Sequence, residues 1–593
     1  MTEERMPVSG FPAGPGSQPS AAADAGAGLA KAGQVAGDRC MHPGRTDRVD
    51  GPGRPTRGTR SPGPRWQGPR WAGTHWAGRA AVIVLAAAVL FVCYWRQSLT
   101  QPISSDGAAN ALQAWDMLHG NLLLHGWLLS DVSFYTTELP QYTLIEAIRG
   151  LGPGVVNLAA AMTYTLLVLL AGLLAKGDAG GPEGRARFLL AAGIVLAPQL
   201  STTSTLLQAP DHTGTAVALL VIWLVIDRAR PHWLVPVAVC AMLAWVLAAD
   251  SIVLLTGIVP IAVAAGARAA RALAKRAEPD WHELTLAAAA ILAGVFGVIA
   301  PLIIRAAGGY TTAPVPGHIV GLGRLPGAAL VTFHAALNIF GANVVAAHSA
   351  LELAFAVLHL AGAALAAWAA CLAALRFFRA RDLLVPALAV AIVVNLAAFL
   401  LTAQALAATR EIVAVLPLGA VLAGRLLAPR LLRPRLRAGK ALRVPLRPVL
   451  AVVAAGYLAA LGYGAAQPAV PAMSEPLATW LVARGYSHGL AGYWQASSTT
   501  LDAGARVSVS PVGPGPGGRV VPGHWETSTL QYDPSRQYAD FVVVKDSGTY
   551  STRWLRGAAE RTFGPPRQTY VVGPYTIMTW HANLLTRLGR PGG

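Results

Sequence analysis

Two short patterns in the chain would carry chemistry on their own if their surroundings agreed. Gly485-Tyr486-Ser487-His488-Gly489 fits G-x-S-x-G, with Asp502 and His524 downstream. That pattern presents a nucleophilic serine on a turn from strand to helix. Here an amphipathic helical run precedes it, and the surrounding polar region is too short for a hydrolase sheet. Trp281-His282-Glu283 lacks the second histidine of a zinc-binding helix. No Walker A sequence is present, so ATP-driven transport by this chain alone is not expected. What remains is a set of ionisable residues. Asp106, Asp116, Asp131, Glu138 and Glu146 share one stretch, 97–152, while Asp211, Asp250 and Glu411 stand at the ends of apolar runs. His119, His125 and His212, and Arg305, Arg324 and Arg410, accompany them. Such groups exchange protons or pair with anions, and at a membrane boundary they are costly unless paired or functional. For any one of them, loop solvation or turn capping is the more ordinary reading; it is their concentration in 97–152 that favours function.

The elements that must position these residues are apolar. Of 593 residues, 54% are hydrophobic and 13% charged, and the mean hydropathy is +0.47. An ordinary soluble enzyme carries roughly a quarter charged residues, so the composition describes an integral membrane protein. The net charge of +18 would suggest nucleic acid if it clustered on a soluble domain, but the basic residues lie in short segments between apolar runs. Cys40, Cys93, Cys240 and Cys371 all precede the polar C-terminal region, which leaves no disulfide framework or cysteine metal site there. No fixed-period repeat is present.

Residues 1–78, rich in Gly, Pro, Ala, Ser and Arg, read as a disordered basic tail on the cytoplasmic side, with the Arg/Trp stretch Arg65 to Arg79 at the inner headgroup surface. The run near 80–95 lies too far in for a cleaved signal and reads as a retained first span. Further spans are expected near 153–175, 187–206, 213–227, 233–249, 251–267, 284–305, 351–375, 383–403, 411–427 and 448–466, since a bilayer core needs about 20 helical residues. Ala249-Asp250-Ser251 divides one long run into a hairpin, and Gln208 to His212 separates two others. With the N-terminus inside, the cytoplasmic loops carry Lys176, Arg185 and Arg187; Arg228 and Arg230; Arg268, Arg271, Lys275 and Arg276; Arg376, Arg379 and Arg381; and the run Arg425 to Arg447. The opposite loops carry few, which gives about eleven spans with the C-terminus outside. Residues 326–346 hold a polar stripe, His334, Asn338 and Asn343, and are expected to form an interfacial or re-entrant helix. The fold class is thus mainly α: a polytopic helical bundle, 79–468, with a large first external loop, 97–152, and a small extracytoplasmic α/β domain, 469–593. In that domain helices are expected at 475–484 and 553–563, strands at 540–544, 568–572 and 575–580, and a Gly/Pro loop at 511–518.

Ser104 to Trp115 reads as a capped helix with Ser105 or Asp106 as N-cap and Ala111, Leu112, Trp115 and Leu118 on a face against the membrane. An acidic residue just after the first span, then an amphipathic helix ending in His119-Gly120-Asn121 and Gly126-Trp127, resembles the first external loop of the GT-C glycosyltransferases. The likeness is to the branch with protein mannosyltransferases and aminoarabinose transferases. Ala249-Asp250-Ser251 leading to Gly257-Ile-Val-Pro260, and Arg410-Glu411-Ile412 leading to Leu416-Pro417-Leu418, are similar to that group too. The likeness covers mainly residues 80–470. It departs where those enzymes pair two acidic residues closely; here Asp116 follows Asp106 by ten positions, which leaves the base and any divalent cation open.

The resemblance implies transfer of a sugar from a polyprenyl-phosphate donor to an envelope acceptor (protein, lipid or glycan) at the outer face of a bacterial plasma membrane, with no nucleic acid and no nucleotide or redox cofactor. It gives Asp106 the role of general base and Arg410 that of a cation for the leaving phosphate, with Arg305 and Arg324 behind it; an ion pair of Arg410 with Glu411 is the plain alternative. His125, Trp127, Glu138 and Tyr142 would line the sugar site, and Asp116, Asp211, His212, Asp250 and Glu411 would complete the cavity. The C-terminal domain would shape acceptor access or bind glycan, with Tyr493-Trp494 and His524-Trp525 as its candidate contacts or, equally, part of its core. A transporter or lipid flippase would need polar groups at mid-membrane and two related halves; Asn395 and Ser201 to Ser204 are few and uncharged, and no second half matches the first. A non-catalytic envelope scaffold would be indifferent to Asp106.

Overall fold

The computed structural model describes residues 73–314, 319–380, 382–402, 406–432 and 446–589. The tail 1–72, Arg381 and most of the Arg425 to Arg447 run lie outside the described residues. The apolar runs form helices: α1 Gly73–Ser98, then, past a loop holding α2 Ser105–Leu118, strand β1 Trp127–Leu129 and α3 Leu139–Arg149, α4 Gly154–Lys176 and α5 Gly181–Val195. There follow α6 Thr203–Leu206, α7 Thr213–Arg228, α8 Leu234–Leu247, α9 Val259–Ala274, α10 Trp281–Ala306, the short strand β2 Thr311–Thr312, α11 Leu325–Ile339, α12 Ala350–Leu375, α13 Leu384–Leu401, α14 Val415–Leu432 and α15 Leu446–Ala465. Each of the eleven expected spans has a helix. Seven are long and apolar enough to cross a membrane alone, and the pair α5 and Leu200–Leu206, bent by 74°, makes an eighth if taken as one span. The bend sits at Pro198, whose ring denies the ladder a donor. The expected span 233–249 is a 14-residue helix, α8, and past the turn at Asp250 a π-helical turn, Leu254–Ile258, runs directly into α9 so that Leu254–Ala274 is one span. Helix α11 has 15 residues, about 22 Å at 1.5 Å per residue, which is short of a ~30 Å core.

Packing follows side-chain size. Helix α10 turns Leu286, Ala290, Ala293 and Gly297 inward, and a Cβ on Gly297 would lie 2.5 Å from Leu247 of α8, so only glycine permits that approach. Its other face exposes Leu292, Val295, Phe296, Ile299, Leu302 and Ile303, which suits lipid rather than water. Helix α14 is the most enclosed of the long helices. Arg425, expected as a loop cation, is instead buried on α14, paired with Asp227 and donating to the Leu174 carbonyl at 2.7 and 3.0 Å. A guanidinium at that depth is retained because its donors are satisfied.

Past α15 the chain forms α16 Glu475–Ala483, β3 His488–Gly492, α17 Tyr493–Asp502, β4 Ser508–Pro514, β5 Val520–Pro522, β6 Thr527–Ser528, β7 Phe541–Lys545, α18 Trp554–Phe563, β8 Gln568–Val572 and β9 Tyr575–Thr579. Six of the strands make one sheet, in order β5-β4-β3-β7-β9-β8, with β3 parallel to both β4 and β7. The loop expected at 511–518 is corrected: Pro511 and Pro514 lie in β4. Pro511 lies just before the β5 ladder, which begins at Val512, and Pro514 lies past the last β3 pair, Gly492 with Val512, so each sits at a ladder end where a missing donor is tolerated. The G-x-S-x-G stretch runs from the end of α16 through a turn at Gly485 (φ +75°) into β3, the reverse of a nucleophile elbow.

A second small sheet ties this domain to the first loop. Strand β1 pairs parallel with β2 and antiparallel with β6, with Trp127 opposite Ser528 and Leu128 opposite Thr527. Thr529 continues the seam through its N–H and hydroxyl, both donating to the Gly126 carbonyl.

Candidate active site

Helix α2 is placed by its cap. Ser104, not Ser105 or Asp106, is the N-cap: its Oγ accepts from Gly107 N at 3.1 Å. Asp106 therefore stands in the first turn with its carboxylate released from capping. A Cβ on Gly107 would meet Val156 at 3.0 Å and Ala209 at 3.1 Å, so its absence lets the start of α2 rest against α4 and the 207–212 loop. Of the expected membrane-facing side, Ala111 is corrected, while Leu112 and Trp115 are half-buried and Leu118 is exposed. Ala108, Ala111 and Ala114 are fully buried in a cluster with Leu139, Tyr142, Val156 and Leu501 of α17, because the C-terminal domain covers this helix.

Arg410 lies in the 3-10 turn Leu406–Ile412 that leads into α14. Its Nη1 donates to Asp106 Oδ2 at 3.2 Å and to Asp211 Oδ2 at 3.1 Å, and its side chain remains 28% exposed. Asp211 is nearly enclosed and also accepts from Asn110 Nδ2 of α2 at 3.1 Å. Burial raises the Asp211 carboxyl above its ordinary value, against the pull of Arg410. Among the described residues the arginine forms ion pairs with these two carboxylates and none with Glu411, which sits in electrostatic reach of His212, Asp131, Asp250 and Arg410.

Two further groups, missed as catalytic candidates, come from the C-terminal domain. The Tyr493 hydroxyl lies 2.5 Å from Asp106 Oδ1 and 2.5 Å from Glu526 Oε2. Ser105 Oγ donates to the Tyr493 carbonyl at 2.8 Å, which fixes α17 on α2. Glu526 is 4% exposed and has φ +45°, in the left-handed region that a non-glycine residue adopts at a cost. Burial, then the nearby Asp106 charge, pushes its carboxyl well above the usual range, and burial does the same to the Tyr493 phenol. The aromatic pairs Tyr493-Trp494 and His524-Trp525 point to these two stretches as contacts, but nothing local to either tells of the Tyr493 and Glu526 approach to Asp106.

A second layer lies behind Asp211. His212, at φ +56°, places Nδ1 2.8 Å from Asp250 Oδ2. Burial disfavours both charges, yet each offsets it for the other: the imidazole is raised to about 9 and the Asp250 carboxyl is lowered. Glu138 accepts from Thr215 N at 3.0 Å and from Thr137, in space that a Cβ on Gly214 would fill, and burial raises it to about 8. It caps α7 as a neutral acid. Tyr142 is fully buried with its hydroxyl unpartnered among the described residues, within electrostatic reach of Asp211, Glu138 and Glu526.

The structure leaves other candidates elsewhere. Asp116, about 15 Å along α2 from Asp106, accepts from Asn121 Nδ2 at 2.7 Å and Trp127 Nε1 at 2.8 Å, so acid and indole brace the loop rather than line the site. His125 faces the Gly308 carbonyl at 2.7 Å. Arg305 and Arg324 form no ion pair with the cluster among the described residues. A cavity of about 290 Å³, lined by residues including Gln199, His348, Glu352 and Tyr463, includes neither Asp106 nor Arg410 in its wall. Among the described residues no three His, Cys, Asp or Glu groups are arranged for a metal, and Asp106 and Asp211 both face Arg410.

No protein-family model matches the sequence, and no curated protein matches it either. Among solved structures, the chain is similar to ArnT from Cupriavidus metallidurans in the apo state, with TM-score 0.50 and 17% identity over 86% of this chain and 99% of that one. ArnT bound to undecaprenyl phosphate gives 0.48 and 16% over the same shares. The Archaeoglobus fulgidus oligosaccharyltransferase in its apo form gives 0.43 and 15%, over 80% of this chain and 70% of that one. The architecture is therefore that of the GT-C fold. The likeness to apo ArnT extends over nearly all of that protein's length.

Proposed function

We propose that the chain is an integral membrane glycosyltransferase that moves a sugar from a polyprenyl-phosphate donor to an acceptor hydroxyl at the outer face of a bacterial plasma membrane. The observation that carries the reading is the contact of Asp106 Oδ2 with Arg410 Nη1 at 3.2 Å, where the membrane bundle meets the C-terminal domain. A carboxylate and a guanidinium held together supply the two charges such a transfer needs: a base for the acceptor hydroxyl and a cation for the leaving phosphate. In this reading the donor phosphate takes over donors of Arg410 now given to Asp106 and Asp211. Asp106, released, removes the acceptor proton. The acceptor oxygen bonds to the anomeric carbon as the bond from that carbon to the phosphate oxygen breaks. The electron pair leaves with polyprenyl phosphate, neutralised by Arg410, and the sugar inverts. ArnT, whose fold the chain shares, is also known bound to undecaprenyl phosphate. The eleven-span topology with the C-terminal domain outside rests on the basic residues of alternate loops, and an interfacial α11 on its length and its polar Asn338 and Asn343.

The test is transfer itself. Purified protein in lipid vesicles is given radiolabelled polyprenyl-phospho-sugars and envelope acceptors, and label moving from lipid to a water-soluble or acceptor-bound product is the expected result. Label that only crosses the bilayer with its phosphate bond intact would make the chain a flippase instead.

A further inference from the structure

Tyr493 and Glu526 belong to the C-terminal domain, yet the Tyr493 hydroxyl bridges Glu526 to Asp106 in the first loop of the membrane bundle. A phenol has one proton. With carboxylate oxygens at 2.5 Å on both sides, the hydroxyl donates to one and accepts from the other, so the trio holds two protons and one negative charge. The charge falls on Asp106, because Arg410 contacts it at 3.2 Å. Glu526 forms no ion pair among the described residues and is 4% exposed. We infer that Glu526, as a neutral acid, donates to the Tyr493 oxygen while Tyr493 donates to Asp106 Oδ1, making Tyr493 and Glu526 positioning residues that aim the Asp106 carboxylate and make the C-terminal domain part of the active site. This deepens the proposed transferase reading and rests on it for its kinetic consequence only.

The arrangement has a mechanical counterpart. Asp106 Oδ1 is held by the C-terminal domain and Oδ2 by Arg410 of the bundle, so the carboxylate plane is fixed from two sides. When a donor phosphate draws Arg410 away, the Tyr493 bond is the one that remains to orient the base. Glu526 in turn is placed by the β6 seam, one residue before Thr527 pairs with Leu128. Undocking the domain would remove both groups together.

Full-length Tyr493→Phe, Glu526→Gln and Glu526→Ala proteins in vesicles test this. Losing a hydrogen bond to a charged acceptor corresponds to about 10- to 100-fold. Tyr493→Phe should lower kcat by that much while KM for the lipid donor stays within about threefold. Glu526→Gln, whose amide N–H still donates to the phenol oxygen, should keep most of the neutral-pH rate, whereas Glu526→Ala falls like Tyr493→Phe. Alkaline pH should slow the wild type as Glu526 ionises, and Glu526→Gln should lose that part of the decline. Glu138, His212 and Asp250, which titrate or hold charge behind Asp211, are common to all variants, so only the difference counts. A readout without turnover is carbodiimide labelling of the Asp106 peptide, expected to rise several-fold in Tyr493→Phe. Unchanged labelling, or wild-type kcat and pH profile in both Tyr493→Phe and Glu526→Ala, overturns the inference. Raised labelling in a protein that transfers no sugar leaves the positioning role standing and removes the transferase reading.

Discussion

At Arg410 one guanidinium nitrogen serves two carboxylates, and the number of donors decides what a substitution does. Lysine keeps the charge but presents a point cation without the planar fork. Arg410→Lys should raise KM for the lipid donor by about tenfold with a smaller effect on kcat, the cost of a lost bidentate pairing. Arg410→Gln removes the charge and should lower kcat/KM by more than about 100-fold, since a phosphate would then leave uncompensated. Steady-state assays with varied donor separate the two. Much of this cluster is legible in the sequence: Asp106, Asp211 and Arg410 stand out as ionisable groups at the ends of apolar runs. The alternative of an Arg410 to Glu411 pair is not what the fold adopts, because successive residues in a helical turn point apart. Tyr493 and Glu526 were illegible for a different reason. Tyr493 meets Asp106 across 387 positions and Glu526 reaches it only through Tyr493, and no local periodicity reports such a contact.

At the scale of elements, the start of α7 carries a small electrostatic device: His212, Asp250 and Glu138 meet at one helix end. The His212 imidazole is raised in the folded protein to about 9 from an ordinary 6.5. A raised folded value means that the stability from the pair is fully present below about pH 6.5 and is lost as pH rises through about 9. Asp250→Asn should therefore lower Tm clearly at pH 6 and little above pH 9.5, where the wild type has lost the pair too. Equal losses at both pH values would show that Asp250 acts only through its cap to Ile252 N. The sequence gives these elements away unevenly. Helices α4, α10, α12 and α13 lie within a few residues of their expected bounds because long apolar runs have one solution in a bilayer. Strands β3 and β4 were not read, since proline in one and glycine in the other resemble turn residues. The N-cap of α2 slipped by one residue or two, within the range where Ser, Asp and their neighbours compete for capping.

For the whole molecule, the seam between bundle and C-terminal domain is the feature on which the account depends. Gly126, at φ +81°, lies on that seam, and a Cβ there would meet Leu530 at 3.0 Å and Thr529 at 3.1 Å. Gly126→Val combines a strained backbone with that clash. It should loosen the β1–β6 pairing, speed proteolytic release of residues beyond 470 and reduce transfer, while α-helix content stays unchanged. Topology is tested separately. In a cysteine-free background, Ser535→Cys should react with an impermeant maleimide on intact cells and Glu278→Cys only after permeabilisation; the reverse pattern would place the site in the cytoplasm. The most direct measurement is a single-turnover comparison of Asp106→Asn with the wild type, following release of polyprenyl phosphate from bound labelled donor in the presence of acceptor. General-base assistance is worth roughly 10²–10⁴ in rate, so release should slow by that range while donor binding and Tm change little. Release at the wild-type rate from Asp106→Asn would contradict the account.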